Sequence, residues 1–157
     1  MLERFGACGL DLVAISPWFE SEPVPPSDQP WFVNGVALAS TLLTADEVLR
    51  RLHEIEAELG RLRRERWEAR VVDLDLLDYG GEIVPDRDAW QAIADGDPRA
   101  DHGLALPHPR MHDRRFVLFP LAHVAPEWRH PVFGVSVDEL IEAAVKMPGI
   151  VRRLEEL

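Results

Sequence analysis

The chain has 157 residues, 46% of them hydrophobic and 29% charged, which points to one globular domain, residues 1–157, and excludes a fibrous repeat or a long disordered segment. Seventeen Lys and Arg stand against 28 Asp and Glu, and a net charge of −11 disfavours nucleic acid and anionic lipid as partners. With one cysteine, Cys8, no disulfide framework or multi-cysteine zinc site is available, and no run approaches the roughly 20 apolar residues of a membrane span or the pattern of a signal peptide, so a soluble cytoplasmic protein is expected.

The aliphatic stretch Leu10 to Phe19 reads as a strand running into a turn at Ser16-Pro17. Pro23, Pro25, Pro26 and Pro30 then mark an irregular loop. Trp31 to Thr41 reads as one strand buried on both sides, with Phe32, Asn34, Val36 and Leu38 on a common face. Thr44 with Glu47 forms a capping box, and Val48, Leu52, Ile55 and Leu59 recur at helical spacing up to Gly60, so a helix is expected over about 45–59. Val71 to Tyr79 reads as a strand closed by Gly80-Gly81.

The acidic segment Glu82 to Gly103 is expected to be an exposed insertion with a short helix near Ala89 to Ala94. Arg115 to Leu121 reads as a final strand, and Pro131 to Gly134 as a turn. Ser136 with Glu139 opens a second capped helix that runs to about Lys146, stopped by Met147-Pro148-Gly149. Ile150 to Leu157 reads as one or two further helical turns. This order suggests an α+β domain with a mainly antiparallel sheet.

Asp73 and Asp75 lie two apart in Val-Val-Asp-Leu-Asp-Leu-Leu, which on a strand puts both carboxylates on one face and Val72, Leu74 and Leu76 on the other. Solvated carboxylates on an exposed face are one reading. The other is a Mg²⁺ site, because two close like charges want a cation between them and Mg²⁺ takes one or two carboxylates together with substrate phosphates. Arg61, Arg63, Arg64, Arg66 and Arg70 precede the pair within ten residues. Guanidinium forks bind phosphate oxygens bidentately, although Glu65 and Glu68 also allow a merely charged loop.

No Gly-x-x-x-x-Gly-Lys-Ser/Thr motif is present, so a P-loop is excluded. His108 and His112 have the i, i+4 spacing of a zinc helix, but Pro107 and Pro109 oppose a helix there, and with Arg110, Arg114 and Arg115 the segment reads as a second phosphate-contacting patch. Phe32 and Asn34 could stack on and read a flat heterocycle, or could belong to a core. Trp67, between Arg66 and Glu68, is a large ring in a polar stretch and a plausible lid contact.

These motifs, in this order, resemble the 6-hydroxymethyl-7,8-dihydropterin pyrophosphokinases of folate biosynthesis. The resemblance rests on Ser16 with Phe19-Glu20-Ser21-Glu22-Pro23, on Asp28 to Asn34, on Ile55-Glu56 with Gly60-Arg61, on Arg66 to Leu77, on Leu106 to Arg110 and on Arg114 to Leu118. It implies a ferredoxin-like α+β fold and transfer of pyrophosphate from ATP to the pterin hydroxymethyl, with release of AMP. It also implies that Asp73 and Asp75 hold two Mg²⁺ ions, and that His53, Glu56, Arg63, Arg70, His108 and Arg114 serve ATP. Ser21, Val24, Phe32, Asn34, Trp67 and Phe116 would hold the pterin, while Arg63, Trp67, Arg70 and Asp75 would carry the catalytic burden.

The start of the sequence departs from the family pattern. Leu2 to Gly9 resembles only the end of the family's first helix, so the sheet is expected to lack the family's first strand. A non-catalytic domain that binds ATP and pterin is the alternative reading. An Asp-x-Asp nucleotide-sugar transferase is a weaker one, since it leaves the pterin motifs unexplained. A monomer is the simplest expectation in the absence of a coiled-coil seam.

Overall fold

The computed structural model describes residues 2–62, 72–100 and 103–155. Their elements are α1 (Glu3–Ala7), β1 (Asp11–Ile15), β2 (Phe19–Ser21), β3 (Phe32–Asn34), β4 (Ala37–Ser40), α2 (Ala45–Leu62), α3 (Arg87–Ala94), a 3-10 turn (Met111–Asp113), α4 (Arg115–Val124), α5 (Val137–Ala144) and β5 (Val151–Arg153). The class is α+β, as expected. β1 pairs with β4, while β3, β2 and β5 form a three-stranded antiparallel sheet with β2 in the middle. No helix among the described residues is long and apolar enough to cross a membrane. The chain divides into two compact units, residues 1–12 with 39–108 and residues 13–38 with 109–157.

The first unit is organised by α2. Its capping box forms, the Thr44 N–H donating to Glu47 Oε2 at 2.8 Å and the Glu47 N–H to Thr44 Oγ1 at 3.3 Å. The Thr44 N–H, and after it the Thr44 hydroxyl donating to the same Oε2 at 3.1 Å, hold the Glu47 carboxyl below its ordinary pKa. Val48, Leu52 and Ile55 are buried with Phe5 and Leu10, and Leu59, Leu74, Leu76 and Tyr79 pack against that cluster. The helix continues through Gly60 to Leu62, so the expected stop at Gly60 is wrong: glycine lowers helix stability by only about 1 kcal/mol and does not end it unaided.

Residues 72–79 form no strand, contrary to expectation. The period-two burial is nevertheless present, with Val72, Leu74 and Leu76 half-buried and Asp73 and Asp75 exposed. Contact with the α2 cluster is enough to set that alternation, whereas a ladder needs a second strand in register. The acidic segment is likewise more than a surface insertion. Asp86 caps α3 by accepting from the Ala89 N–H, and the fully buried Trp90 donates from Nε1 to the Pro107 carbonyl at 2.6 Å. Val84 and Leu106 close an antiparallel bridge beside it.

The expected single strand over 31–41 is two, β3 in the second unit and β4 at the boundary of the units, in different sheets. The break falls at Gly35, where a Cβ would lie 2.9 Å from the Trp18 ring. Neither strand is buried on both sides, and Phe32 is 54% exposed. Arg115–Val124 is a helix instead of a strand, its buried Leu118 and Leu121 three apart as a helix face requires. Short apolar runs of this kind are ambiguous between the two periods. The second capping box forms at Ser136 and Glu139, and the helix it opens ends at Ala144. The C-terminal segment is strand β5, not helix, because β2 offers it an edge: Phe19, Glu20 and Ser21 lie opposite Arg153, Arg152 and Val151.

His130 is fully buried in this unit, stacked on Phe133 at 4.3 Å and edge-on to His112 and Trp128. Its Nδ1 accepts from the N–H groups of Val132 and Phe133, both at 3.2 Å. Burial, and secondarily His112, lowers its pKa from 6.5 to about 4. Between those values the unfolded chain binds a proton that the folded chain refuses, so stability is lost as the pH drops through the window, by up to about 1.4 kcal/mol per pH unit, and is untouched above it. Urea unfolding of wild type and His130→Asn, whose amide oxygen preserves the acceptor, checks this. The difference in stability should shrink in the variant's favour from pH 7 to pH 4.5, and parallel curves would contradict it.

Candidate active site

The acidic pair is positioned from both sides by the first unit. On one side Glu56, half-buried on α2, accepts at Oε1 from the backbone N–H of Leu74, the residue between the two aspartates. On the other side the Leu77 carbonyl accepts from the His108 N–H at 2.8 Å. Glu56, the aspartate segment and His108 therefore form one hydrogen-bonded series. His53 lies on the same helix, three residues before Glu56, and is exposed.

Apolar packing of Leu74 and Leu76 turns Asp73 and Asp75 outward, where both residues are exposed. Two exposed acids at this spacing suit Mg²⁺, which keeps several waters and needs only one or two protein carboxylates. No group of three or more His, Cys, Asp or Glu that could cage a metal occurs among the described residues.

His108 is not free to wander. The Trp90 bond to the Pro107 carbonyl and the Val84–Leu106 bridge fix the two residues before it. This support lies in the segment that reads from sequence as insertion. The available signals were Asp86 three residues before Ala89, a cap, and one tryptophan in an otherwise polar stretch.

The second unit gathers the aromatic and amide groups. In the β2–β3 ladder Phe19 lies opposite Asn34 and Ser21 opposite Phe32, so all four share one sheet face. Asn34 Nδ2 donates to the buried Ser21 Oγ at 2.9 Å, which fixes the plane of the amide. Phe19 packs on Phe119 and His123 of α4. Phe116 is one turn before Phe119 on that helix, and the Arg114 guanidinium lies 5.7 Å from the centre of its ring. A flat ring stacked on Phe32 or Phe116 could present its polar edge to the Asn34 amide. Val24 is exposed in the proline-rich loop, with its Cγ2 turned toward Gly149.

The structure thus brings together Glu56, Asp73, Asp75 and His108 in the first unit, and Ser21, Phe32 and Asn34 in the second, with Phe116 on the helix packed against that sheet. Arg63, Trp67 and Arg70 lie outside the described residues.

Residues 1–126 match the family model described as 7,8-dihydro-6-hydroxymethylpterin-pyrophosphokinase. Among curated proteins, the chain is 43% identical over 141 residues to the 2-amino-4-hydroxy-6-hydroxymethyldihydropteridine pyrophosphokinase of Pseudomonas aeruginosa, covering 90% of this chain and 76% of the relative. The protein of the same name from Methylorubrum extorquens is 38% identical over 148 residues, 94% of this chain and 81% of the relative. A third, from Synechocystis sp., is 38% identical over 134 residues, 85% of this chain but 60% of the relative.

The Glu56–Leu74 bond has a measurable consequence. Hydrogen bonds to a charged partner contribute about 1.5–3 kcal/mol, less where water competes. Glu56→Ala should lower stability by about 1–2 kcal/mol in urea unfolding and speed deuterium exchange at the Leu74 amide, whereas Glu56→Gln, which keeps an oxygen acceptor, should change both little. Equal exchange in all three proteins would show that the bond does not hold the segment.

Proposed function

The chain belongs to the 7,8-dihydro-6-hydroxymethylpterin-pyrophosphokinase family, and from that premise we propose that it transfers the pyrophosphoryl group of ATP to the hydroxymethyl of 6-hydroxymethyl-7,8-dihydropterin, giving the pterin diphosphate and AMP. The observation that carries this reading is the exposed pair Asp73 and Asp75, flanked by Glu56 and His108, in the same chain as an aromatic and amide face suited to a flat heterocycle.

The work of each residue follows from its chemistry. Asp73 and Asp75 would hold two Mg²⁺ ions with the triphosphate, and the bound ions supply positive charge against which phosphate oxygens are neutralised. His108 and Arg114 would donate to phosphate oxygens, with Glu56 and His53 near the nucleotide. Phe32 and Phe116 would stack on the pterin while Asn34, held by Ser21, reads its amide edge and Val24 touches it from the loop.

The pterin hydroxyl oxygen attacks the β-phosphorus in line. The new O–P bond forms as the bond between the β-phosphorus and the bridging oxygen breaks, and that oxygen leaves on AMP. The hydroxyl proton passes to Asp75 or to water. We read the protein as a cytoplasmic monomer acting on small molecules, with neither nucleic acid nor membrane as partner, consistent with its net charge of −11.

AMP release from ATP and Mg²⁺, measured with and without the dihydropterin, tests the proposal. Pterin-dependent AMP should appear with wild type and fall by about 100- to 1,000-fold or more in Asp75→Ala, as expected when charge stabilisation at the reacting phosphate is lost. A folded wild-type chain that binds ATP and releases no AMP would instead favour a binding-only domain.

A further inference from the structure

The family match ends at residue 126, yet residues 147–153 grip the loop that carries two of the proposed pterin contacts. β5 pairs with β2 so that Ser21 lies opposite Val151. One residue further along, the Glu22 N–H donates to the Ile150 carbonyl at 2.9 Å, and the Ile150 N–H donates back to the Glu22 carboxylate at 3.2 Å. A side chain thereby extends the ladder past the end of the strands.

The next residue, Gly149, has φ +94°, and a Cβ there would lie 2.8 Å from Val24 Cγ2. From α4, Arg115 Nη2 donates to the carbonyl of Met147 at 2.9 Å and also to that of Gly149. Arg115 immediately precedes Phe116. The turn over residues 147–150 is therefore tied to Glu22, which follows Ser21 and is two residues from Val24, and to the residue beside Phe116.

Resting on the proposed pterin reading, we propose that the turn formed by residues 147–150 is a brace that sets the spacing of the pterin contacts, with Glu22 and Arg115 as positioning residues and Gly149 as the position that gives Val24 its room. The same C-terminal strand is held a second time on its other face. Arg152, opposite Glu20 in the ladder, pairs with the Glu20 carboxylate at 2.9 Å and lies 4.7 Å from the centre of the Trp31 ring, next to Phe32. These contacts all lie within the second unit, as do Ser21, Val24 and Phe116, and none of them is made by a residue proposed to contact the nucleotide.

Steady-state kinetics of the full chain separates this from general support of the fold. Glu22→Ala and Gly149→Ala should each raise the KM for the dihydropterin by about five- to twentyfold, with kcat and the KM for ATP within about twofold of wild type. Glu22→Gln, which still accepts from the Ile150 N–H, should restore the pterin KM to within about twofold. Arg115→Lys, which keeps the charge but loses the fork, gives a second measurement should either alanine variant fail to fold, with the same rise in pterin KM expected.

An active wild type whose folded variants keep their pterin KM, or lose kcat and both KM values together, would overturn the brace and leave the proposed reaction standing. A wild type without pterin-dependent AMP would overturn the reaction and the brace with it.

Discussion

Leu74 and Leu76 cannot pack on the α2 cluster without turning Asp73 and Asp75 away from it. That constraint fixes the face on which two negative charges stand side by side, and it does so without a strand ladder. Residues 72–76 alternate in burial because one side meets Val48, Leu52 and Ile55 while the other meets water. Backbone polarity is partly met elsewhere, by Glu56 for the Leu74 N–H and by His108 for the Leu77 carbonyl. The groups that satisfy the segment are thus the ones proposed to lie near the nucleotide, so the structural role and the proposed chemical one fall on the same residues.

The second unit meets a different problem, holding the face proposed for a flat ring on very short strands. β2 and β3 have three residues each, too few to be rigid alone. The strength comes from position: β2 is the middle strand, with β3 on one edge, β5 on the other and α4 packed on it. Phe19 is buried against that helix, so the neighbouring Ser21 and Asn34 inherit a fixed orientation. The charged clasp of Glu20, Arg152 and Trp31 lies on the opposite face of β2, as the alternation of a strand demands.

What could be read from sequence was what is local. Both capping boxes, α2, the short helix at Ala89–Ala94 and the shared face of Phe32 and Asn34 depend on residues within about four positions of each other. The acidic pair was legible for the same reason, since a period of two needs only its own segment. The misreadings have the opposite character. Phe116, Val117 and Phe119 carry strand propensity, and only packing across from α5 and β2 selects the helix. Val151–Arg153 is a strand because β2, about 130 residues earlier, has an open edge. At Gly35, where the strands break, the Trp18 ring leaves no room for a side chain, and Trp90 is held by Pro107, neither of which a local pattern displays.

Asp73 and Asp75, as the proposed cation-binding point of a nucleotide site, should respond to Mn²⁺, whose paramagnetic broadening can be followed by NMR with a non-hydrolysable ATP analogue present. Amide signals of residues 73–76 should broaden first, with His108 next, and only when the nucleotide is added. Broadening centred on other carboxylates, or equal with and without nucleotide, would contradict it.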